Sequence, residues 1–344
     1  VLELSPGGNL FFGDNGSGKT SILEAVHLLS VGRSFRTQTA RSLIHYDADT
    51  CVVNGRVRGA AREIVMGIER NRDGSARARV NGDAAESLSD LAALLPLVLI
   101  DADSLGLITG QPEARRRFLD QSVFHVEQSF LEYWRRYQRA LKQRNAGLRH
   151  GTLGALDPWL DEVVVAGELI TQARERTLAL LSSRFNEVAA LLSDDIADVS
   201  IRLRGGWDKT MGLREALEKS LLSDQTQGFT HVGPHRADLR VSCGGRPAAE
   251  VMSRGQLKLT VAALKLAQGQ LLAQAGRGRP VFLVDDLAAE LDARHLRRVC
   301  DALQAGGAQT LLTAVDQHAL AQYWPDTDLK MFHVEQGKVQ ALPV

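Results

Sequence analysis

The sequence predicts an α/β fold in which the chain enters a helix-flanked sheet near its start, leaves it for a helical lobe and returns to it. Three observations carry this reading. A glycine-rich loop, "GDNGSGKT" (13–20), lies between the apolar run "NLFF" and an amphipathic stretch, "ILEAVHLL". Helical periodicity fills residues 113–193. Apolar strand patterns, "VFLV" and "TLLTAV", then alternate with helical ones, the order that builds β-α-β units.

Gly13, Gly16 and Gly18 precede Lys19 and Thr20 in the spacing G-x-x-x-x-G-K-[ST]. In such a loop backbone N–H groups cradle phosphates, the lysine reaches the β/γ oxygens and the hydroxyl meets Mg²⁺. Side chains at the glycines would block the backbone's approach, and the helix start adds favourable partial positive charge. The nucleotide-binding expectation covers Gly13, Asp14, Asn15, Gly16, Ser17, Gly18, Lys19 and Thr20. After the first helix, "TCVVNGRVRG", "REIVMGIER" and "ARARVNG" alternate between glycines and asparagines and read as antiparallel strands with tight turns. Phe130, Trp134, Tyr137 and Leu141 form one helical stripe, and after a break at "HGTLGALDP" the helical pattern resumes. Strand character returns in "DVSIRLRGGW" and "ADLRVSCGGR". "SRGQLKLTVAALKLAQGQLLAQ" reads as a long helix, "PVFLVDD" as a buried strand, "ARHLRRVCDALQ" as a helix, and "AQTLLTAV" and "KMFHVEQGKV" as the last two strands. The expected division is 1–112 for the first part of the head, 113–197 for the helical lobe and 198–344 for the second part of the head.

Composition limits the function classes. The 344 residues hold 41 Lys plus Arg against 41 Asp plus Glu, so attraction to nucleic acid or membrane must come from a local patch. Cys51, Cys243 and Cys300 are widely spaced with no C-x-x-C, which argues against a zinc site or disulfide framework. The longest apolar stretch, "LAALLPLVLI", is too short to span a bilayer and contains Pro96, and no signal peptide is read, so a cytoplasmic setting is expected. The phosphate loop follows Val1 sooner than such sheets usually place it, so a further strand is expected ahead of Val1.

"VFLVDD" ends an apolar strand with Asp285 and Asp286. An aspartate there is placed to hold Mg²⁺ together with Thr20, and the next carboxylate can orient an attacking water. "MSRGQLKL" lies upstream and "AAELDARH" downstream. Alone, an S-x-G-Q string is most often a helix cap and an acidic pair a turn. In this order, however, the motifs resemble those of ABC-type ATPases, a class of P-loop nucleoside triphosphatase. The resemblance implies an ABC-type ATPase head with an inserted helical lobe. It also implies that Ser253, Arg254, Gly255 and Gln256 cap the γ-phosphate of ATP held by a second copy, giving an ATP-dependent homodimer. Lys19 and Asp286 are the expected catalytic residues, and Thr20 and Asp285 the expected Mg²⁺ ligands.

Further strings, "VGRSFRT", "GQPEARRRFLD", "LKQRNAGLR", "GPHRADL" and "SRGQLKL", are similar to those of the RecF family. This resemblance covers nearly the whole chain. It implies a head related to SMC-type ATPases without their long coiled coil, binding to single-stranded and double-stranded DNA, and a role in DNA repair, replication and the SOS response. RecO and RecR are the implied partners in bringing RecA to gapped DNA. Most ABC ATPases carry Glu where this chain has Asp286, and the shorter reach implies slow hydrolysis; the family resemblance implies that DNA stimulates it. Thr313 stands where many carry a switch histidine, and His318 is expected on a helix surface.

Between Gln111 and His150, nine basic residues (Arg115, Arg116, Arg117, Arg135, Arg136, Arg139, Lys142, Arg144, Arg149) face four acids (Glu113, Asp120, Glu127, Glu132), a local balance of +5. Arg135, Arg139 and Lys142 fall on the helix face opposite the apolar stripe, which suits either DNA phosphates or plain solvation. Arg33 and Arg36 offer a second location, and His235, Arg236 and Asp238 a polar network. A transporter's nucleotide-binding subunit and a scaffold using ATP as dimer glue are the competing readings. Length and the missing C-x-x-C hook exclude a coiled-coil SMC protein.

Overall fold

A computed structural model describes residues 1–37, 39–59, 63–152, 157–276, 278–325 and 328–342. The predicted break at "HGTLGALDP" lies partly outside these residues. In chain order, β1 (Gly8–Phe12) leads into α1 (Lys19–Val31), then β2 (Thr50–Arg58), β3 (Glu63–Asn71), β4 (Ala76–Val80) and β5 (Asp83–Ala84). Next come α2 (Leu88–Leu94), β6 (Leu97–Ile100), α3 (Gly106–Thr109), α4 (Pro112–Val126), α5 (Phe130–Arg149) and α6 (Leu160–Leu192). They are followed by β7 (Val199–Arg204), α7 (Leu213–Gln227), β8 (Asp238–Cys243), β9 (Arg246–Pro247), α8 (Ala248–Val251) and α9 (Arg254–Gln274). The chain closes with β10 (Val281–Val284), α10 (Leu287–Glu290), α11 (Ala293–Ala305), β11 (Thr310–Ala314), α12 (His318–Ala321), β12 (Leu329–Glu335) and β13 (Lys338–Ala341).

The chain forms two compact units. The first comprises Val1–Ser104, Val188–Asp194 and Lys258–Val344. Its six-stranded sheet runs β13-β12-β1-β11-β10-β6, parallel except for the β12–β13 hairpin. A second sheet, β2-β3-β4-β5, is antiparallel, as the alternating segments predicted. One apolar core joins Phe11 and Phe332 of the parallel sheet, Leu23 and Leu28 of α1, and Ile64, Met66 and Ile68 of β3. Phe11 and Phe332 stack at 4.8 Å. Alternation in β10 sends Val281 and Leu283 into this core, while Phe282 lies against Gly269 of α9.

"KMFHVEQGKV" is two strands, not the single strand expected. Gln336 (φ 47°) and Gly337 (φ 76°) make a left-handed turn that folds β13 back on β12. Such a turn follows the right-handed twist of the flanking strands.

The second unit, Leu105–Glu187 and Asp195–Leu257, holds α3, α4, α5, most of α6, α7 and α8, and a three-stranded sheet, β7-β8-β9. The predicted stripe is core: Phe130, Tyr137 and Leu141 are buried and Trp134 is half-buried. Arg144 is also buried, bonded to Asp157 and Asp224 at 2.8 Å each and to Thr230 at 2.6 Å. Ion pairs at this depth need such complete hydrogen bonding to offset lost hydration.

Candidate functional site

The glycine-rich loop connects β1 to α1 in the first unit. Gly13 has φ 147°, and a Cβ there would lie 2.2 Å from the Val334 carbonyl of β12, so no other residue fits. The turn between β12 and β13 stitches the loop in place, with Gly337 N–H donating to Ser17 O at 2.9 Å. Asp14, Asn15 and Gly16 are exposed, while Ser17 and Lys19 are buried. Lys19 Nζ donates to Gly13 O (2.6 Å) and Asp14 O (2.8 Å), which keeps the ammonium folded over its own loop. Ser17 Oγ is buried without a hydrogen-bond partner among the described residues. An unpaired hydroxyl beside a lysine and a helix start fits an anionic ligand.

The parallel register brings the C-terminal ends of β10 and β11 beside this loop. Thr20 Oγ1 donates to Asp285 Oδ1 at 3.1 Å, and Thr313 Oγ1 donates to the same oxygen at 2.6 Å. Asp285 Oδ2 has no hydrogen bond among the described residues. One hydroxyl and one carboxylate with a free oxygen, next to a phosphate-type loop, fit Mg²⁺, which is commonly held by one or two carboxylates plus phosphates. No cluster of three or more His, Cys, Asp or Glu side chains able to hold a metal alone occurs among the described residues.

Asp286 follows in the left-handed region (φ 50°), immediately before α10, makes no side-chain capping bond to it and is exposed. Its N–H donates to Thr313 Oγ1 at 2.9 Å. Desolvation, then the neighbouring Asp285 charge, pushes its carboxyl above the usual aspartate value, with Lys19 opposing. Glu290 beyond it pairs with Lys258 at 2.6 Å. Asp292, the last residue of the "ELD" string, caps α11 by accepting from the N–H groups of Arg294 and His295. His318 is exposed on α12, as expected.

Ser253, Arg254, Gly255 and Gln256 belong to the second unit and open α9. They form a reciprocal cap: Gln256 N–H donates to Ser253 Oγ (3.3 Å) and Ser253 N–H to Gln256 Oε1 (2.8 Å). Ser253, Arg254 and Gly255 are exposed, and a Cβ on Gly255 would meet nothing within 4 Å. Packing within the chain therefore does not demand glycine there.

In the same unit, part of the basic stretch serves the fold. Arg115 bonds Asp238 (2.7 and 3.2 Å), Arg116 bonds the Ala237 carbonyl, Arg136 pairs with Glu162, and Arg144 is buried. The +5 balance is therefore not a surface balance. Arg135, Arg139 and Lys142 are exposed as predicted, and Arg139, Lys142 and Arg149 line an open depression of about 420 Å³ with Gln138, Leu141 and Asn145. His235 is structural: Thr230 O can only accept, so His235 Nε2 donates to it (3.0 Å) and Nδ1 accepts the Tyr137 hydroxyl (2.6 Å). Burial lowers this histidine to about 4 and raises Tyr137. Arg33 and Arg36 are exposed after α1.

Comparison with known proteins agrees with this architecture. Residues 1–340 match the family described as "RecF/RecN/SMC N terminal domain". The chain is 46% identical over 346 residues to the "DNA replication and repair protein RecF" of Pseudomonas aeruginosa, covering 98% of this chain and 93% of that one. A solved structure of "the recombination mediator protein RecF-ATP in RecFOR pathway" superposes with a TM-score of 0.86 at 26% identity, over 99% of this chain and 93% of that one. An Smc head bound to the C-winged helix domain of ScpA superposes at TM-score 0.56 and 19% identity, a likeness of fold, over 99% and 92% of the two chains. The fold is that of an ABC-type ATPase head, and the chain belongs to the RecF family.

Proposed function

We propose that this chain is an ATP-binding DNA repair and replication protein that dimerises on Mg²⁺·ATP and, as a dimer, binds single-stranded and double-stranded gapped DNA. In this reading it works in the cytoplasm with RecO and RecR to load RecA and supports the SOS response. The observation that carries it is the meeting of Thr20 and Thr313 on one oxygen of Asp285, beside the buried Lys19. The RecF relative solved with ATP supports the nucleotide's identity.

Bound Mg²⁺·ATP supplies a triphosphate and a transferable γ-phosphoryl group. Lys19 would turn from the Gly13 and Asp14 carbonyls to phosphate oxygens, and the loop N–H groups from Gly13 to Thr20 would orient the phosphates. Thr20 and Asp285 would hold the cation, with Thr313 keeping the carboxylate turned toward the loop. Asp286 would orient water, and its side chain, shorter than that of Glu, would make hydrolysis slow. Ser253 and Gly255, at the uncrowded start of α9, meet the γ-phosphate held by a second copy.

Duplex and single-stranded DNA binding, measured with and without Mg²⁺·ATP at several salt concentrations, tests this reading. It expects tighter binding with nucleotide and a log–log salt slope of about −0.9 per phosphate contact on duplex. Equal affinity with and without nucleotide would contradict it.

A further inference from the structure

The sheet β7-β8-β9 carries arginines where an ordinary sheet would not keep them. Val199, Ile201, Leu239 and Val241 point inward, while Arg202, Arg204 and Arg240 are exposed on the other face. The antiparallel register sets Arg202 directly opposite Arg240, and Arg204 opposite Asp238. Like charges directly opposite on one sheet face are destabilising. Asp238 gives little relief, because both its oxygens are taken by Arg115 at 2.7 and 3.2 Å. The guanidinium groups of Arg202, Arg204 and Arg240 make no hydrogen bond or ion pair with any side chain among the described residues. The opposed charges cost the sheet some stability, and an anionic partner outside the chain would offset that cost.

The same face shows what that is. Ser200 and Ser242 stand opposite each other one pair further along, so the face offers hydroxyl and guanidinium donors with its one carboxylate already engaged. Arg202 and Arg204 lie about 7 Å apart along the strand, and Arg240 about 5 Å across it. Three cations in such a grid suit a string of regularly spaced anions better than one small anion. Guanidinium groups bind phosphate oxygens through two parallel bonds, and hydroxyls are common phosphate contacts in nucleic-acid complexes. We infer that the exposed face of β7 and β8 is a contact surface for the phosphate backbone of nucleic acid, with Arg202, Arg204 and Arg240 as its cations. This inference rests on the DNA-binding part of the proposed function and gives it a location that the basic count on α5 does not.

The test replaces Arg202, Arg204 and Arg240 together by Thr in the 344-residue chain and reads DNA affinity and thermal stability side by side. Duplex affinity is expected to fall by roughly tenfold or more at moderate salt, with the log–log slope shallower by about 0.9 per lost contact. Melting temperature without DNA is expected to stay level or rise, because the Arg202–Arg240 repulsion is gone. An Arg139→Gln, Lys142→Gln variant serves as the comparison. If the sheet variant keeps parental affinity and slope while the α5 variant loses them, DNA lies on α5 and the inference fails with the proposed function intact. A parent chain that binds no DNA overturns both. Parental DNA binding with lost binding of a polyglutamate peptide assigns the face to an acidic protein segment, which also overturns it.

Discussion

Thr313 Oγ1 donates to Asp285 Oδ1 at 2.6 Å and accepts the Asp286 N–H at 2.9 Å, so one hydroxyl on β11 fixes both carboxylates at the end of β10. Thr313 itself is 1% exposed, and it leaves Asp285 turned toward Thr20 of the loop. In Thr313→Val the shape persists while the Asp286 N–H and Asp285 Oδ1 lose their shared partner. Urea unfolding should show a loss of about 1–3 kcal/mol, as for an unmade buried hydrogen bond. Nucleotide titration should show weaker Mg²⁺·ATP binding. Unchanged values in both would make the contact incidental.

Desolvation, and after it the neighbouring Asp285 charge, holds the Asp286 carboxyl above the usual aspartate value. A raised folded value means a contribution that is complete below the ordinary aspartate range and lost as pH rises through the folded value. Asp286→Asn removes that loss, and Asn tolerates the left-handed backbone. The nucleotide-free variant should therefore melt higher than the parent at neutral pH and no higher at low pH. It should bind ATP but not hydrolyse it. Hydrolysis at the parental rate would exclude Asp286 as the water-orienting group.

Two half-buried histidines set the opposite limit. Burial lowers both His27 and His235 from 6.5 to about 4. A lowered folded value gives stability that is complete above 6.5 and lost as pH falls through about 4. Unfolding measured stepwise from pH 7.5 downward should show falling stability across that window, with a shallower fall in His235→Gln. Equal slopes in parent and variant would show that His235 does not titrate between the two states.

Much of the first unit's layout was legible because its signals are local. The loop's glycines and Lys19 sit in one eight-residue string, and "VFLVDD" marks a buried strand with acids at its end. Thr313 could be flagged by position, but its bonds to Asp285 and Asp286 depend on the parallel register of β10 and β11. The closing hairpin escaped because Gln336–Gly337 is a less usual pair for a left-handed turn than Asn-Gly. Arg144 counted as surface charge because its partners, Asp157 and Asp224, lie 13 and 80 residues away. Arg202 and Arg240 look like ordinary exposed strand residues until the register sets them opposite each other.

The arrangement at α9 predicts a block that is specific to pairing. Ser253→Arg places a long cation at the exposed helix start, where the proposed function seats a second copy's nucleotide. The variant should bind ATP as a monomer and fail to dimerise. Mixed with Lys19→Met, it should recover part of the activity, because one of the two composite sites then keeps an intact loop and an intact Ser253. No recovery on mixing would argue against sharing of sites between copies.

Sedimentation of the chain with and without Mg²⁺·ATP, beside Lys19→Met, shows whether the nucleotide pairs two copies. The proposed function assigns Lys19 to phosphate charge, and its hydrogen-bond partners among the described residues are the Gly13 and Asp14 carbonyls. The parent should shift from monomer to dimer on adding Mg²⁺·ATP, while a folded Lys19→Met stays monomeric and binds no nucleotide. A parent that remains monomeric with saturating Mg²⁺·ATP, or a Lys19→Met variant that dimerises like the parent, would contradict the account.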